Sequence, residues 1–388
     1  MKKIYFDHNA TTPVDPEVLD AMLPFLKEEF GNPSSIHWAG RNSRKAIEEG
    51  RDKVCRLLNC ANLELIFTSS GTEGDNHAIK GVAYAKKEKG NHIITTKVEH
   101  PAVLNTCKHL AKDGFETTYL DVDSDGMIDL EVLKAAITPK TILISIMYAN
   151  NETGVILPIK EIGDIAKARD VTFHTDAVQA AGKIPLDAQK LNVDLLTISG
   201  HKLYGPKGTG ALFAKRGVRL VPLIHGGHHD RNRRGGTENV AGIAGLGKAA
   251  EIAMRDMEKE SAQLSTLRNR IEKGLAEKIP HIKVNGHADK RLPNTANISF
   301  EFVEGESLLL NLDMKGIAAS SGSACTSGSL EPSHVLLAMG LTHEMSHGSV
   351  RFSLGKSNTA GDVEYLIEIM PAIVERMRSM SPLYAGAK

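Results

Sequence analysis

The sequence predicts an α/β protein with a mixed, mostly parallel sheet in a large domain and a second, smaller α/β domain. Between residues 63 and 214, short apolar and β-branched segments alternate with segments of helical periodicity, as successive right-handed crossovers require. A helical stretch rich in Ala, Glu, Lys and Leu covers 240–275, and a second alternation of strands and helices follows it. We expect a large domain at 15–255 and a small domain formed by 1–14 and 256–388.

Turn residues and helix signals divide the chain into elements. Gly31 ends the first helical pattern, Pro101 stands in the first turn of a later helix, and β-branched residues mark the strands. The spacing of apolar and charged residues in 39–58 indicates a long surface helix. The predicted helices are 16–30, 39–58, one that begins near 73, 101–112, 130–136, 158–169, 240–275, 305–312, 335–339 and 362–377. The predicted strands are 63–68, 92–96, 117–122, 142–147, 171–174, 194–198, 211–214, 297–302, 317–320 and 350–354.

Composition and charge restrict the classes of function. The chain has 47 basic and 47 acidic residues and no net formal charge, so it lacks the electrostatic footprint of a protein that binds nucleic acid or an anionic membrane surface. No apolar run approaches the length of a membrane span, and the N-terminal segment reaches Asp7 before a signal-peptide core could form. We expect a cytoplasmic protein that binds small molecules or other proteins, with neither nucleic acid nor membrane as a partner.

The four cysteines are too few and too scattered for a disulfide framework. Cys55 and Cys60 lie on or just after a predicted helix, with no second Cys or His pair at zinc-ligand spacing, so we expect them to be packing residues. Cys325 differs because Ser, Thr and Gly residues surround it on both sides, which indicates an exposed polar loop. It is therefore the candidate for thiol chemistry, unless it is a thiol without a role.

The stretch 195–210, LLTISGHKLYGPKGTG, places a lysine directly after a buried strand. Its first residues are apolar or β-branched, and the glycines and proline that follow prevent a regular continuation. Lys202 should therefore lie at the carboxyl edge of the sheet, where open α/β folds bind ligands. It is either a solvated surface lysine or an amine that forms a Schiff base with an aldehyde.

Polar residues follow several other predicted strands, and the carboxyl ends of parallel strands meet at one sheet edge. Asp176 ends a buried strand and needs a cation or several donors, which a protonated pyridine nitrogen or a neighbouring Arg or Lys would supply. His100 could stack on a flat ring, move a proton, or be an ordinary loop histidine. The polar clusters at this edge are 99–100, 150–152, Asp176 with Gln179, and 199–202.

Two further segments point to ligand binding. Gly71 and Thr72 belong to a small polar turn between a strand and a helix, which suits a phosphate and equally suits a plain helix cap. The glycine-flanked segment 226–239 contains three arginines and two histidines without hydrophobic periodicity. We expect it to be a functional loop that crosses into a partner subunit's site. Its adjacent histidines lack the carboxylate pattern of a metal site.

Together, these motifs resemble the pyridoxal-phosphate cysteine desulfurases. The resemblance runs nearly end to end, and segments 292–297, 330–334 and 347–354 are closest to the NifS branch, which supplies sulfur for nitrogenase cluster assembly. The motifs that carry it are Thr72 after a strand, Asp176-Ala-Val-Gln179, Ser199-Gly-His-Lys202, Arg234-Gly-Gly-Thr237-Glu-Asn and Ser321-Gly-Ser-Ala-Cys325-Thr-Ser-Gly-Ser.

The resemblance implies a fold-type I enzyme of the class V aminotransferase family that holds pyridoxal 5'-phosphate on Lys202, which also moves the substrate's Cα proton. It implies that His100 stacks on the pyridine ring, that Asp176 pairs with the ring nitrogen, and that Gln179 and Asn151 reach the ring oxygen or the substrate. The implied phosphate-binding residues are Gly71, Thr72, Ser199 and His201, joined by Thr237 from the other subunit of a homodimer, and Gly200 is a further implied cofactor-binding residue.

The same resemblance implies that Arg351 binds the carboxylate of L-cysteine and that Cys325 takes its sulfur as a persulfide, which leaves L-alanine. The sulfur would pass to a scaffold protein for iron–sulfur cluster assembly, with Cys325 as a possible shared iron–sulfur ligand. Two alternatives stay open: another fold-type I lyase or aminotransferase, such as a selenocysteine lyase, and a sulfur-relay subunit without the cofactor. His8, segment 227–231 and Gly236 depart from the family's usual residues.

Overall fold

The computed structural model describes residues 3–227, 229–321, 331–381 and 384. Its helices are α1 (Pro16–Lys27), α2 (Trp38–Leu58), α3 (Gly71–Lys86), α4 (Pro101–Ala111), α5 (Leu130–Ala136), α6 (Ile159–Ala168), α7 (Val240–Lys278), α8 (Gly305–Met314), α9 (His334–Ala338), α10 (His343–His347) and α11 (Ala360–Met380). Its strands are β1 (Ile4–Tyr5), β2 (Leu65–Thr68), β3 (His92–Thr96), β4 (Glu116–Leu120), β5 (Thr141–Ser145), β6 (Thr172–Asp176), β7 (Leu195–Ser199), β8 (Gly210–Ala214), β9 (Ile282–Val284), β10 (Thr295–Phe300), β11 (Ile317–Ala318) and β12 (Ser349–Ser353).

Seven strands form the main sheet in the order β2-β8-β7-β6-β5-β3-β4. The pairs from β7 through to β4 are parallel, whereas β8 runs antiparallel to both β7 and β2. Every residue of β3, β5, β6 and β7 is buried, because helices cover both faces of the sheet. The predicted α/β class with a mostly parallel sheet is confirmed.

A second group of strands combines segments from the N-terminal and C-terminal parts of the described chain. The strands β12, β10 and β9 form an antiparallel sheet, and β1 pairs in parallel with β11. Ile4 and Phe6 pack into the same hydrophobic core as β10, β12 and α11. Backbone pairing between Asp7 and Ser353 extends this contact. The N-terminal residues therefore lie with the C-terminal part of the chain.

Helix α7 belongs to both hydrophobic cores. Ile243 and Leu246 in its first half pack into the core around the main sheet, and Ile271 and Leu275 in its second half pack into the core around β10. Its 39 residues run without interruption across the position at which we place the domain boundary, 255–256. The boundary thus falls within a continuous helix.

Helix α2 is exposed on one face, as its sequence indicates, and its other face is buried more extensively than the apolar periodicity suggests. Eleven of its 21 residues are buried, since it crosses α7 at close range. A Cβ atom on Gly247 would lie 2.6 Å from the Cα atom of Gly50, so the two backbones pack directly against each other. The sequence pattern missed this contact because glycine and alanine contribute little to hydrophobic periodicity.

Not one helix of the described chain combines the length and apolarity needed to cross a bilayer.

Candidate active site

A cavity of about 370 Å³ lies at the carboxyl edge of the main sheet. Loops after β3, β6 and β7, the first turn of α3, the N-terminal segment and β12 all contribute side chains to its wall. The sequence-predicted site residues that line it are Gly71, Thr72, His100, Asn151, Asp176, Gln179, Ser199, His201, Lys202 and Arg351. Residues far apart in the sequence therefore meet at one cavity.

Lys202 ends a short 3₁₀ turn that follows β7 directly. Its amine donates hydrogen bonds to the backbone carbonyl of Asn9 and, at 2.7 Å, to that of Ala10. The amide of Gly200 donates to the carbonyl of Thr209. Gly200 itself is buried behind the loop, where a Cβ atom would lie 2.9 Å from the carbonyl oxygen of Pro206. Gly200 therefore shapes the turn that presents the lysine and does not line the cavity.

Asp176 is the last residue of β6 and is buried. Its Oδ1 accepts a hydrogen bond from the amide of Val178 at 2.9 Å. Burial raises the pKa of Asp176 to about 6, although the Val178 amide and the Lys202 ammonium favour the charged form. A buried carboxylate with so few donors is suited to a cationic partner in the cavity.

Asp75 is a cavity residue that the sequence reasoning missed. It is almost completely buried, and its Oδ1 has no hydrogen-bond partner in the described part of the chain. Burial, reinforced by the neighbouring charge of Asp176, raises its pKa well above the usual range. Oxygen atoms of both carboxyl groups and a ring nitrogen of His100 lie within 4.8 Å of one another. Gly71 and Asp75 are one helical turn apart, so they lie on the same face of α3. This spacing in the sequence could have indicated that Asp75 lines the cavity.

His100 is the N-cap residue of α4, and its Nδ1 accepts a hydrogen bond from the amide of Ala102 at 3.1 Å. Burial, together with the charges of Lys202 and His334, lowers its pKa to about 4. The ring is therefore neutral at pH 7. Because Nδ1 accepts, the ring proton resides on Nε2.

The turn between β2 and α3 forms an anion cradle. Ser70 caps the helix by accepting from the amide of Glu73 at 3.1 Å, and the helix begins at Gly71. A Cβ atom on Gly71 would lie 2.7 Å from Cγ2 of Val178, so only glycine fits there without displacement. The buried hydroxyl of Ser199 also faces this cavity and finds no hydrogen-bond partner among the described residues. Free helix amides and an unpaired hydroxyl are the groups that bind a phosphate.

Arg351 reaches the cavity from β12, which belongs to the second sheet. Its Nη1 donates to the carbonyl of Asn151 and its Nη2 to Oδ1 of Asp7, each at 2.8 Å. Its buried Nε has no partner within the described residues. Gln179 donates from Nε2 to the carbonyl of Asn9 at 3.0 Å, and Lys183, which the sequence did not single out, donates to the side chain of Gln179 at 3.2 Å.

One predicted site residue, Thr237, lies away from this cavity, and another falls outside the described residues. Thr237 is exposed and lines a separate depression of about 160 Å³ together with Asp230 and Glu238. Cys325 lies outside the described residues, which stop at 321 and resume at 331. Ser320, close to that interval, exchanges backbone hydrogen bonds with Arg351. The chain thus enters the interval beside a cavity residue.

Comparison with known proteins adds relatives of named activity. Residues 4–366 match the family model of class-V aminotransferases. The chain is 54% identical over 385 residues to the cysteine desulfurase IscS of Clostridium botulinum strain Hall, covering 99% of this chain and 97% of that protein. It is 56% identical over 382 residues to the cysteine desulfurase IscS of Methanosarcina thermophila, covering 98% and 94%.

Solved structures of similar fold agree with these relatives. A NifS-like protein superposes with a TM-score of 0.91 at 38% identity, covering 97% of this chain and 100% of that one. The protein SspA, solved in complex with cysteine, superposes with a TM-score of 0.81 at 38% identity, covering 91% and 99%. These similarities extend over both hydrophobic cores and the cavity between them.

Proposed function

This chain belongs to the class-V aminotransferase family, and we propose that it is a cysteine desulfurase that takes sulfur from L-cysteine and releases L-alanine. The observation that carries the proposal is the meeting of the Lys202 amine, the Asp176 carboxyl group and the Arg351 guanidinium at one cavity. An amine, an acid and a carboxylate-binding group are the side chains that chemistry at the Cα atom of an amino acid requires.

Pyridoxal 5'-phosphate fits the groups that the cavity offers. The N-terminus of α3 and the unpaired hydroxyl of Ser199 suit its phosphate. The buried carboxyl group of Asp176, which has few hydrogen-bond donors, suits its ring nitrogen. The amine of Lys202 suits its aldehyde. Neutral His100 supplies a flat ring against which it can stack. When bound, the cofactor supplies an electron sink for bonds at the substrate's Cα atom.

Lys202 moves the proton at the substrate's Cα atom. In the structure its Nζ donates hydrogen bonds to the carbonyls of Asn9 and Ala10. When these hydrogen bonds break, the amine can turn into the cavity. The amine must be uncharged to accept that proton.

Arg351 binds the substrate carboxylate. The guanidinium is held by Asn151 and Asp7, so its plane is fixed before substrate arrives. It has five N–H groups, and the two contacts leave donors that include the buried Nε. A preorganised arginine gives the substrate one orientation relative to Lys202.

Cys325 accepts the sulfur. Its thiolate attacks the sulfur atom of the bound cysteine, a sulfur–sulfur bond forms, and the carbon–sulfur bond breaks with its electron pair retained on carbon. Protonation of that carbon completes L-alanine, and the enzyme keeps the persulfide. We extend this proposal to delivery of the sulfur to an iron–sulfur scaffold protein, with Cys325 as a shared cluster ligand, and to a cytoplasmic location.

Replacement of Cys325 tests the sulfur-transfer step. In Cys325→Ala, we expect formation of alanine and sulfide from L-cysteine to be abolished while the visible absorption of the bound cofactor persists. Cys107→Ala is the matched control, because Cys107 is buried in the core away from the cavity. Unchanged turnover in Cys325→Ala would instead favour a lyase or aminotransferase that needs no thiol.

We further propose that the protein is a homodimer in which Thr237 contributes to the partner's phosphate site. Support comes from its exposed position away from the cavity of its own chain. A mixture of Thr237→Ala and Lys202→Ala chains tests this proposal. If Thr237 serves the partner, hybrid dimers place both defects in one site and leave the other site intact. The mixture should then recover part of the wild-type activity, and the absence of any recovery would contradict the exchange.

A further inference from the structure

The C-terminal end of α2 places two cysteines side by side. Asn59 has left-handed backbone angles, φ 51° and ψ 55°, and the amide of Cys60 donates to the carbonyl of Cys55 at 3.0 Å. This hydrogen bond from the sixth residue to the first is the Schellman motif, which brings the side chains at its two ends into contact. In most proteins apolar side chains fill these two positions, whereas this chain has a thiol at each.

Interaction between the two thiols is the largest effect on both sulfur atoms: it lowers the pKa of Cys55 and raises that of Cys60. Cys55 is buried, and Cys60 is partly exposed to solvent. The charged groups around Cys55 are the guanidinium of Arg51 and the carboxylates of Asp52 and Glu64. Solvent therefore reaches one member of a preassembled pair.

We propose that Cys55 and Cys60 are a redox modification site, at which a hydroperoxide such as hydrogen peroxide produces an intramolecular disulfide. One thiolate attacks the peroxide oxygen, the O–O bond breaks, and a sulfenic acid and one molecule of water result. The second thiol then attacks that sulfur and releases a second molecule of water. Two thiols are oxidised by two electrons, and the peroxide is reduced by two.

The disulfide would fasten the last turn of α2 to the segment that leads into β2. That segment contains the short 3₁₀ turn Asn62–Glu64, and β2 ends at the anion cradle. None of the described cavity residues takes part in this disulfide, and we expect a higher midpoint of thermal unfolding in the oxidised protein. Cys107 is different, because it is completely buried in a separate apolar core.

Peptide mapping of the full-length, cofactor-loaded protein tests the proposal directly. Arg56 lies between the two cysteines, so trypsin separates residues 54–56 from residues 57–80. After peroxide treatment, denaturation, alkylation and digestion without reductant, we expect one linked peptide pair of 54–56 and 57–80. Dithiothreitol should release the two peptides.

The controls use single substitutions outside the cavity. Cys60→Ser should eliminate the linked pair and leave Cys55 alkylated, whereas Cys107→Ser should yield the same pair as wild type. Recovery of Cys60 as a sulfinic or sulfonic acid, with peptide 54–56 fully alkylated, would overturn the proposal. A link from Cys60 to Cys325 or to a second chain, in place of the expected pair, would overturn it equally.

Discussion

The amine of Lys202 donates a 2.7 Å hydrogen bond to the backbone carbonyl of Ala10. Lys202 follows β7 of the main sheet, whereas Ala10 belongs to the N-terminal segment, whose Ile4 and Phe6 pack into the second core. The proposed catalytic amine therefore makes one of the contacts that join the two hydrophobic cores across the cavity. A change at this amine should affect both catalysis and the anchoring of the N-terminal segment.

Lys202→Ala should lower the rate of alanine formation by about 10²- to 10⁴-fold, the usual contribution of a positioned proton-transfer group. It should also eliminate the visible absorption that cofactor gives the wild-type protein. Both quantities are measured spectrophotometrically on protein incubated with excess pyridoxal 5'-phosphate. Lys207→Ala is the matched control, since Lys207 is an exposed lysine of the same loop. Wild-type turnover in Lys202→Ala would contradict the assigned role.

Arg351→Lys should raise KM for L-cysteine by about 10- to 100-fold, because lysine cannot reproduce a bidentate, preoriented contact with a carboxylate. The effect on kcat should be smaller. Steady-state kinetics on both variants distinguish the two parameters. Arg376→Lys provides a comparison at an exposed arginine, and an unchanged KM in Arg351→Lys would exclude it as the carboxylate-binding residue.

The pair of Asp75 and Asp176 should give cofactor binding a characteristic pH dependence. The pKa of Asp176 is raised to about 6, so its carboxyl group becomes protonated, and loses its attraction for a cationic ring nitrogen, as the pH falls through 6. Asp176→Asn should weaken pyridoxal 5'-phosphate binding by about 10- to 100-fold at pH 8 and remove this part of the pH dependence. Titration of the cofactor-free protein with pyridoxal 5'-phosphate at several pH values from 5 to 8 measures this affinity and its pH dependence.

Asp75→Asn is the informative companion to that experiment. Burial raises the pKa of Asp75 well above its usual range and so favours the uncharged carboxyl group, and an amide has the same shape and no charge. We therefore expect Asp75→Asn to keep the affinity and pH dependence of wild type. A large loss of affinity would mean that Asp75 acts as a carboxylate.

His8 should make the protein sensitive to acid. It is buried, its two ring nitrogens have no partner in the described chain, and burial lowers its pKa to about 4. The folded pKa lies below the unfolded value of about 6.5. The contribution of His8 to stability is therefore complete above pH 6.5 and is lost as the pH falls toward 4.

Replacement of His8 measures this contribution. In His8→Asn, the loss of unfolding free energy between pH 7 and pH 4 should be smaller than in wild type by up to about 3 kcal/mol. Urea unfolding at several pH values gives the difference. His109→Asn, at an exposed position, should follow the wild-type curve, and an identical curve for His8→Asn would refute the assignment.

The sequence predicted the positions of strands better than their directions. Residues 92–96 form β3 as expected, because β-branched residues bounded by polar turns give a clear signal. The antiparallel direction of β8 carries no such signal, since side chains alternate in the same way in either direction. β9 and α10 were missed because they are short, and the contact of α2 with α7 was missed because it depends on glycine.

Within the site, residues at strand ends could be predicted and residues on neighbouring helices could not. Lys202 and Asp176 follow buried strands, so topology alone brings them to one edge. Asp75 lies on a helix, and its role depends on a contact with Asp176, which is about a hundred residues away. The pairing of Cys55 with Cys60 depends on the left-handed conformation of Asn59, which no periodicity encodes.

The uninterrupted course of α7 limits how the enzyme can open. At 1.5 Å per residue its 39 residues extend about 58 Å. Each half of this long helix is packed into a different hydrophobic core. The cavity wall that contains Arg351 cannot move away from the wall that contains Lys202 unless α7 bends or one half of α7 shifts within its hydrophobic core. Substrate entry should therefore depend on displacement of surface loops, and the distance between the backbones of Arg351 and Lys202 should remain constant throughout the catalytic cycle.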